Sequence, residues 1–182
     1  MIPIVVNNRQ INAHAGESIL TALTRSGIKV PTLCHMEGLF PTGACRMCVV
    51  ELEDSGRLVP SCSFPVSPDM RIQTHSARSV EARKTILELV LASHPDDCLY
   101  CSRNGTCELQ SLAAELGVDG RRYSPTPRRH NADMSSPAIT RDPAKCILCG
   151  KCVRVCEEIQ GVACIDFVKR GAETIVGTAF NQ

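Results

Sequence analysis

The sequence predicts an α+β fold in which a mixed sheet with one helix is followed by a short helical region and a second small α+β region. Strand-like and helix-like runs succeed each other along the whole chain, which indicates this class. Twelve of the 182 residues are cysteine, whereas aromatic residues make up only 3% and tryptophan is absent. Because bonds between thiolates and metal can replace part of a large apolar core, we expect a fold built around metal centres.

The first predicted domain spans residues 1–76 and contains the mixed sheet. Two strands are predicted at Ile2–Val6 and at residues 10–13, on either side of an Asn-Asn turn signal. Ser18 is predicted to cap a helix that ends at Gly27. A cysteine-bearing loop follows, and three more strands are predicted at residues 49–53, 57–59 and 71–74.

The second predicted domain, residues 77–120, is helical. Its first helix is predicted to stop before His94-Pro95, because proline disfavours continuation of a helix. Thr106 is predicted to cap a second helix, with Gly117 after its end. The predicted apolar face of the first helix comprises Val80, Ile86, Leu87, Val90 and Leu91.

A linker rich in proline and arginine is predicted at residues 121–137, and a third domain at residues 138–182. In that domain we expect a short helix over residues 152–160 and a strand-like tail.

The charge balance excludes some partners. With 20 Lys+Arg against 19 Asp+Glu, the formal net charge is +1, which gives no electrostatic reason to expect nucleic acid or an anionic membrane. The longest apolar run is too short to span a bilayer, and the N-terminus lacks the features of a secretory signal. The sequence therefore predicts a cytoplasmic location, where grouped cysteines are more often metal ligands than disulfides.

The first cysteine group has the spacing Cys34-x10-Cys45-x2-Cys48-x13-Cys62. Four thiolates, three in one loop and one further on, suit a [2Fe–2S] cluster, although the spacing is wider than in plant-type ferredoxins. Gly43 is small enough to let backbone N–H groups approach the cluster. The alternative is structural zinc, which more often uses two tight pairs of cysteines.

The second group is His94-x3-Cys98-x2-Cys101-x5-Cys107. Three thiolates leave one corner of a [4Fe–4S] cluster without a protein ligand, and the imidazole of His94 could fill it. A neutral ligand in place of a thiolate makes the site less negative and should raise its reduction potential. From the residues alone, an ordinary histidine is the alternative.

The third group, Cys146-x2-Cys149-x2-Cys152-x3-Cys156, has the spacing of bacterial [4Fe–4S] ferredoxins. In two-cluster ferredoxins the fourth cysteine of this run binds the other cluster, and this sequence has no second run. Cys164 is the only later sulfur ligand, and we expect it to be a small core residue, with ligation as the alternative.

Together, the three groups resemble the N-terminal iron–sulfur region of the large peripheral subunit of respiratory complex I. The chain is also similar to parts of [FeFe]-hydrogenases, to the diaphorase small subunit of NAD-linked hydrogenases, and to NAD(P)-linked formate dehydrogenases. The segments that carry the resemblance cover residues 31–35, 43–48, 91–95 and 142–161.

The resemblance implies a plant-type-ferredoxin-like (β-grasp) first domain, a small helical second domain and a partial bacterial-ferredoxin-like third domain. It implies one [2Fe–2S] cluster, one [4Fe–4S] cluster bound by one histidine and three cysteines, and a further [4Fe–4S] cluster. The implied ligands are Cys34, Cys45, Cys48 and Cys62; His94, Cys98, Cys101 and Cys107; and Cys146, Cys149 and Cys152, with Cys156 or Cys164 as the fourth.

Relatives continue past the position of Gln182 into a second cysteine run. The third cluster could therefore take a local fourth ligand, could be absent or labile, or the 182 residues could be part of a longer polypeptide. We expect a small subunit that still carries a third cluster.

The expected function is electron transfer within a multi-subunit NAD(P)-linked oxidoreductase of hydrogenase or formate dehydrogenase type. Its partners would be a flavin subunit that handles NAD(P)H and a catalytic redox subunit. No Gly-x-Gly-x-x-Gly turn, flavin motif or catalytic site is recognised in the sequence. The alternatives are the N-terminal part of a catalytic [FeFe]-hydrogenase or formate dehydrogenase chain, and a zinc-stapled interaction module.

Overall fold

A computed structural model describes residues 1–120, 122–123, 131–135 and 137–178. The chain divides into two compact units. The first comprises Met1–His35 and Phe40–Ile86, and the second comprises Met36–Leu39 and Leu87–Gln182.

The first unit is built on a five-stranded mixed sheet with the strand order β2-β1-β5-β3-β4. Strands β1 and β5 pair in parallel, and the other neighbours pair antiparallel. This arrangement confirms the predicted mixed sheet. The elements are β1 (Ile2–Val6), β2 (Arg9–Ala13), α1 (Ile19–Arg25), β3 (Val49–Leu52), β4 (Arg57–Pro60) and β5 (Arg71–Gln73).

The turn between β1 and β2 follows from its two asparagines. Asn7 and Asn8 have φ values of +50° and +65°, and asparagine tolerates this left-handed region better than most residues. Two consecutive positive φ values give the turn the right twist for a two-residue hairpin. The register, with Val6 opposite Arg9, matches that turn.

Helix α1 begins and ends as predicted. The Ser18 hydroxyl accepts a hydrogen bond from the Thr21 amide at 3.1 Å, and Gly27 has a φ of +73° just beyond the helix. The buried face of α1 packs on the sheet to form the core of this unit, which contains Ile4, Val6, Ile11, Ala13, Ile19, Ala22, Leu23, Val50, Val59, Val66 and Ile72.

Helix α2 (Ala77–Ala92) ends before His94-Pro95 as predicted, and the residues of its predicted apolar face are buried or half-buried. Leu87 is the one member of the predicted apolar set that is fully buried. Two polar residues of the helix, Ser79 and Arg83, are buried as well. Polar residues can occupy this face because their hydrogen bonds are made there: Ser79 donates to the Ser76 carbonyl at 2.9 Å and Arg83 to the Val49 carbonyl at 2.6 Å.

The second unit consists of short helices and one hairpin. It contains 3₁₀ turns at Cys98–Tyr100 and Pro143–Lys145, helix α3 (Glu108–Leu116), helix α4 (Lys151–Arg154), and a hairpin of β6 (Ile165–Val168) and β7 (Ile175–Thr178). Helix α4 continues as a π-helical turn over Val155–Ile159, so the predicted helix over residues 152–160 is present but changes its winding halfway.

The predicted cap of α3 is wrong by one residue. Cys107, not Thr106, occupies the N-cap position. The Thr106 hydroxyl instead donates to the Arg103 carbonyl at 3.3 Å, within the preceding turn. Gly117, with a φ of +62°, ends the helix as expected.

Of the predicted linker, residues 121, 124–130 and 136 lie outside the described residues. Asp133 and Arg141 form an isolated antiparallel bridge. Within the described ranges, no helix combines the length and the apolar character that crossing a membrane requires.

Candidate metal centres

The first unit brings the four cysteines of the first group together as two pairs. The Cys45 side chain hydrogen-bonds to that of Cys34, and the Cys48 side chain to that of Cys62. The charge of Cys34 acts on both Cys48 and Cys62, so the two pairs are neighbours. Three of the four are almost fully buried, with exposures of 2% for Cys34 and 1% each for Cys48 and Cys62.

The β3–β4 ladder positions the second pair. Val49, the first residue of β3, lies opposite Pro60 at the end of β4. Cys48 and Cys62 flank this end of the ladder, where the Ser61 amide donates to the Cys48 carbonyl at 3.2 Å. Leu20 of α1 packs against both cysteines and closes the site on the core side.

Hydrogen bonds and burial shift the pKa values of the thiols of this site in both directions. The hydrogen bond with the Cys62 side chain, with a further contribution from the Ser61 hydroxyl, lowers the pKa of Cys48 to about 6. The same bond raises the pKa of Cys62, because Cys62 is then the partner that keeps its proton. The hydrogen bond with the Cys34 side chain and partial burial raise the pKa of Cys45, whereas backbone hydrogen bonds from Met47, Cys34 and Leu33 act in the opposite direction, because backbone N–H groups favour the charged form of a thiol.

Gly43 allows the backbone to approach this site closely. Its φ is +62°, and a Cβ atom added there would lie 2.8 Å from the Ser63 Oγ atom. The Gly43 backbone hydrogen-bonds the Cys62 sulfur. Four thiols, three of them buried, with several amide donors aimed at them fit the needs of an iron–sulfur cluster.

The second group surrounds a cavity of about 640 Å³ in the second unit. His94 lies just beyond α2, Cys98 begins the first 3₁₀ turn, Cys101 follows that turn, and Cys107 is the N-cap of α3. All four predicted ligands therefore line one cavity. They share its wall with residues that include Leu91, Asp97, Arg103, Leu109, Ala113, Val118, Lys145 and Ile147.

The tautomer of His94 follows from its hydrogen bond. The Nδ1 atom lies 3.0 Å from the Pro95 carbonyl oxygen, and a carbonyl can only accept, so Nδ1 carries the proton. In the neutral imidazole the lone pair is then on Nε2, which is the arrangement found in metal-binding histidines. His94 and three thiols around a cavity of this size suit a cluster of several atoms.

The four cysteines of the third group, together with Cys164, divide into a set of three and a pair. The pKa of Cys152 is raised, chiefly by burial and to a smaller extent by the nearby thiolates of Cys149 and Cys146. The Leu148 amide donates to the Cys146 sulfur at 3.4 Å. Leu148 and Gly150 have φ values of +55° and +68°, so two left-handed residues curve this loop around the three sulfurs.

Cys156 and Cys164 form the pair, with their sulfur atoms 3.5 Å apart. Cys156 is only 4% exposed, and backbone and side-chain hydrogen bonds from Cys164 lower its pKa. The expectation that Cys164 is a core residue is wrong, because its side chain is exposed. It lies just before β6, where its sulfur contacts Cys156 instead of packing among apolar side chains.

In the part of the chain that the structure describes, no three or more His, Cys, Asp or Glu side chains are arranged as a site for one metal ion.

Comparisons with known proteins agree with these observations. Three family models match successive parts of the chain: a 2Fe-2S iron-sulfur cluster binding domain at residues 1–77, the NADH-ubiquinone oxidoreductase-G iron-sulfur binding region at residues 83–122, and the ferredoxin-like domain of NADH-quinone oxidoreductase subunit 3 at residues 136–182.

A chain in the crystal structure of NAD+-reducing [NiFe]-hydrogenase in the H2-reduced state matches with a TM-score of 0.90 and 30% identity, over 97% of this chain and 74% of that one. The chain belongs to the iron–sulfur subunit family of complex I and NAD(P)-linked hydrogenases.

Two curated members of this family show how much of a longer relative the chain corresponds to. The NADP-reducing hydrogenase subunit HndD of Solidesulfovibrio fructosivorans is 38% identical, over 100% of this chain and 32% of the relative. The NADH-ubiquinone oxidoreductase 75 kDa subunit of Reclinomonas americana is 35% identical, over 98% of this chain and 26% of the relative. The chain thus spans about a third or less of the length of these curated relatives.

Sequence reasoning missed the polar residues that support the first site in this family member. Ser61 is fully buried and its hydroxyl donates to the Cys48 carbonyl at 2.7 Å. The Thr42 hydroxyl lies 4.0 Å from the Cys34 sulfur. Both residues are close in sequence to a predicted ligand, but Ser and Thr are common in loops and only the structure indicates which of them face the sulfurs.

Proposed function

We propose that this chain is an iron–sulfur electron-transfer subunit of an NAD(P)-linked oxidoreductase of hydrogenase or formate dehydrogenase type. It would relay single electrons between a flavin subunit that handles NAD(P)H and a catalytic redox subunit, in the cytoplasm. The observation that carries the proposal is that His94, Cys98, Cys101 and Cys107 line one cavity of about 640 Å³.

The proposed ligands follow the three groups. Cys34, Cys45, Cys48 and Cys62 would hold a [2Fe–2S] cluster, and the two hydrogen-bonded pairs match the need for two thiolates on each iron. His94, Cys98, Cys101 and Cys107 would hold a [4Fe–4S] cluster, and Cys146, Cys149, Cys152 and Cys156 a second one, with Cys164 as the alternative fourth ligand. The corresponding domains are residues 1–76, 77–120 and 138–182, joined by a linker at 121–137.

In this mechanism the clusters supply one-electron chemistry, and the chain sets where and how readily it occurs. Buried thiolates exclude water from the first site, because Cys34, Cys48 and Cys62 are at most 2% exposed. Amide and hydroxyl donors stabilise the negative charge on the sulfurs, and the neutral His94 ligand makes the second site less negative than four thiolates would. Hydride transfer to or from NAD(P) is assigned to the flavin partner.

The test is to purify the protein anaerobically and measure iron, acid-labile sulfide and zinc, followed by electron paramagnetic resonance (EPR) of the reduced protein. We expect iron and sulfide with one [2Fe–2S] signal and [4Fe–4S] signals. Colourless protein that contains zinc and no sulfide would overturn the proposal. Mass measurement of the native polypeptide separates a subunit of 19.7 kDa from the N-terminal part of a longer catalytic chain.

The ligand role of His94 is tested separately with His94→Ala and, as the matched control, His14→Ala at an exposed position in the first unit. We expect His94→Ala to change or remove one [4Fe–4S] signal, whereas His14→Ala leaves the spectrum as in the wild type. An unchanged spectrum for His94→Ala would reject the ligand assignment and leave the electron-transfer role to the remaining sites.

A further inference from the structure

Two ion pairs connect the ligand loops of the second and third groups within the second unit. Lys145 Nζ lies 2.9 Å from Asp97 Oδ2, and Lys151 Nζ lies 3.4 Å from Glu108 Oε2. In each pair the carboxylate belongs to the loop of the second group and the lysine to the loop of the third group.

All four charged residues are chain neighbours of proposed cluster ligands. Asp97 precedes Cys98 and Glu108 follows Cys107, so the two carboxylates stand at the two ends of the three-cysteine segment of the second group. Each lysine directly precedes a cysteine of the third group: Lys145 precedes Cys146 and Lys151 precedes Cys152. Each ion pair therefore joins backbone that directly carries a ligand in one loop to backbone that directly carries a ligand in the other.

The residues that form these pairs are themselves placed by regular structure. Lys145 is the last residue of a 3₁₀ turn that Asp142 caps through a 3.0 Å hydrogen bond to the Ala144 amide. Glu108 and Lys151 are the first residues of α3 and α4. Lys145 and Ile147 also line the cavity around His94, so the loop of the third group forms part of the wall of the second site.

We propose that the Asp97–Lys145 and Glu108–Lys151 ion pairs are positioning pairs that hold the ligand loop of the His94 site against the ligand loop of the third group, and so fix the separation of the two [4Fe–4S] sites. The proposal rests on the proposed function, because it takes both loops to be cluster-binding. Partly exposed ion pairs contribute little to global stability. Here two of them act on the same pair of loops, so their effect should appear in the local geometry of the sites more than in the melting temperature.

The variants for the test are Lys145→Gln with Lys151→Gln, and the conservative pair Lys145→Arg with Lys151→Arg. The control is Lys169→Gln, since Lys169 pairs with Glu173 at 3.7 Å on the same unit and is not adjacent in sequence to any proposed ligand. The full chain is prepared anaerobically, iron and sulfide are measured, and the magnetic interaction between the two reduced [4Fe–4S] clusters is recorded by EPR. Hydrogen–deuterium exchange of residues 94–108 and 145–152 gives a second measurement that needs no paramagnetic signal.

We expect the double glutamine variant to keep its iron while the interaction between the two [4Fe–4S] signals is weakened and exchange in both loops becomes faster. The double arginine variant should restore both properties, and Lys169→Gln should behave as the wild type. Wild-type interaction and wild-type exchange in the double glutamine variant would overturn the positioning role while leaving the proposed function intact. Wild-type protein that lacks both [4Fe–4S] signals would instead overturn the proposed function, and this inference with it.

Discussion

Arg83 of α2 donates a hydrogen bond from Nη2 to the Val49 carbonyl oxygen at 2.6 Å. Arg83 is only 1% exposed, and Val49 is the first residue of β3, directly after the proposed ligand Cys48. A buried guanidinium is costly unless its charge and donors are compensated. The bond thus connects a buried residue of α2 to the backbone that carries a ligand of the first site.

Replacing this arginine should destabilise the first unit. Arg83→Met leaves the buried Val49 carbonyl without its donor, which we expect to cost about 1–3 kcal/mol of unfolding free energy, measured by urea unfolding of the cluster-loaded protein. Arg78→Met is the matched control on the same helix, since Arg78 is exposed and pairs with Glu51 at 3.2 Å; its cost should stay below about 1 kcal/mol. Equal costs for the two variants would mean that burial of Arg83 has no special role.

Ser61 offers a test of how the chain tunes the first site. Its buried hydroxyl donates to the Cys48 carbonyl at 2.7 Å and helps to lower the pKa of Cys48. Ser61→Ala should destabilise the protein by about 1 kcal/mol and shift the potential of the [2Fe–2S] cluster to more negative values, because a donor near sulfur stabilises the reduced form.

The measurement for Ser61→Ala is a redox titration followed by EPR, with exposed Ser63→Ala as the control. The [4Fe–4S] potentials should stay constant in both variants. An unchanged [2Fe–2S] potential in Ser61→Ala would show that the hydroxyl acts only on the backbone at Cys48.

Local signals predicted the fold well where one residue type decides the conformation. The asparagines of the first turn and the Ser18 cap are such cases, since positive φ and an N-cap bond depend on the residue itself. The burial of Arg83 on α2 could not be predicted, because periodicity counts apolar residues, whereas Arg83 is buried next to an acceptor 34 residues away in sequence. The spacing of residues along a helix does not indicate a tertiary contact of that kind.

The candidate sites could be grouped from cysteine spacing, because ligands of one cluster must come from short loops. Spacing could not assign the partner of Cys156: a sulfur–sulfur distance of 3.5 Å to Cys164 depends on how the chain turns back after the π-helical turn and into β6. The ion pairs of Lys145 and Lys151 likewise could not be predicted from the sequence, since the carboxylates that they contact lie in a different loop.

The stability contributed by Glu17 should depend on pH. Glu17 accepts hydrogen bonds from Arg25 at 2.6 Å and from the His14 amide at 2.6 Å, and the Arg25 bond in particular holds its pKa below the ordinary value of 4.5. Because the folded pKa is the lower one, the stabilisation is complete above that ordinary value and is lost as the pH falls through the folded pKa.

Glu17→Gln should therefore lower the unfolding free energy by up to about 1 kcal/mol near pH 7, and the difference from the wild type should shrink toward pH 4 and below. Thermal unfolding of both proteins in matched buffers measures this difference, and exposed Glu37→Gln serves as the control. A difference that stays constant over the whole range would show that the carboxylate charge of Glu17 is not what stabilises the fold.

Separate serine substitutions of Cys156 and Cys164 should identify the fourth ligand of the third group. Cys156 is 4% exposed and surrounded by backbone donors of Ala163, Cys164 and Ile165, which is the environment that stabilises a ligand thiolate, whereas Cys164 is exposed. Cys156→Ser should reduce the iron content and alter one [4Fe–4S] signal, while Cys164→Ser keeps both. Iron analysis with EPR measures the outcome, and the reverse pattern would assign the ligand to Cys164 and make Cys156 its buried hydrogen-bonding neighbour.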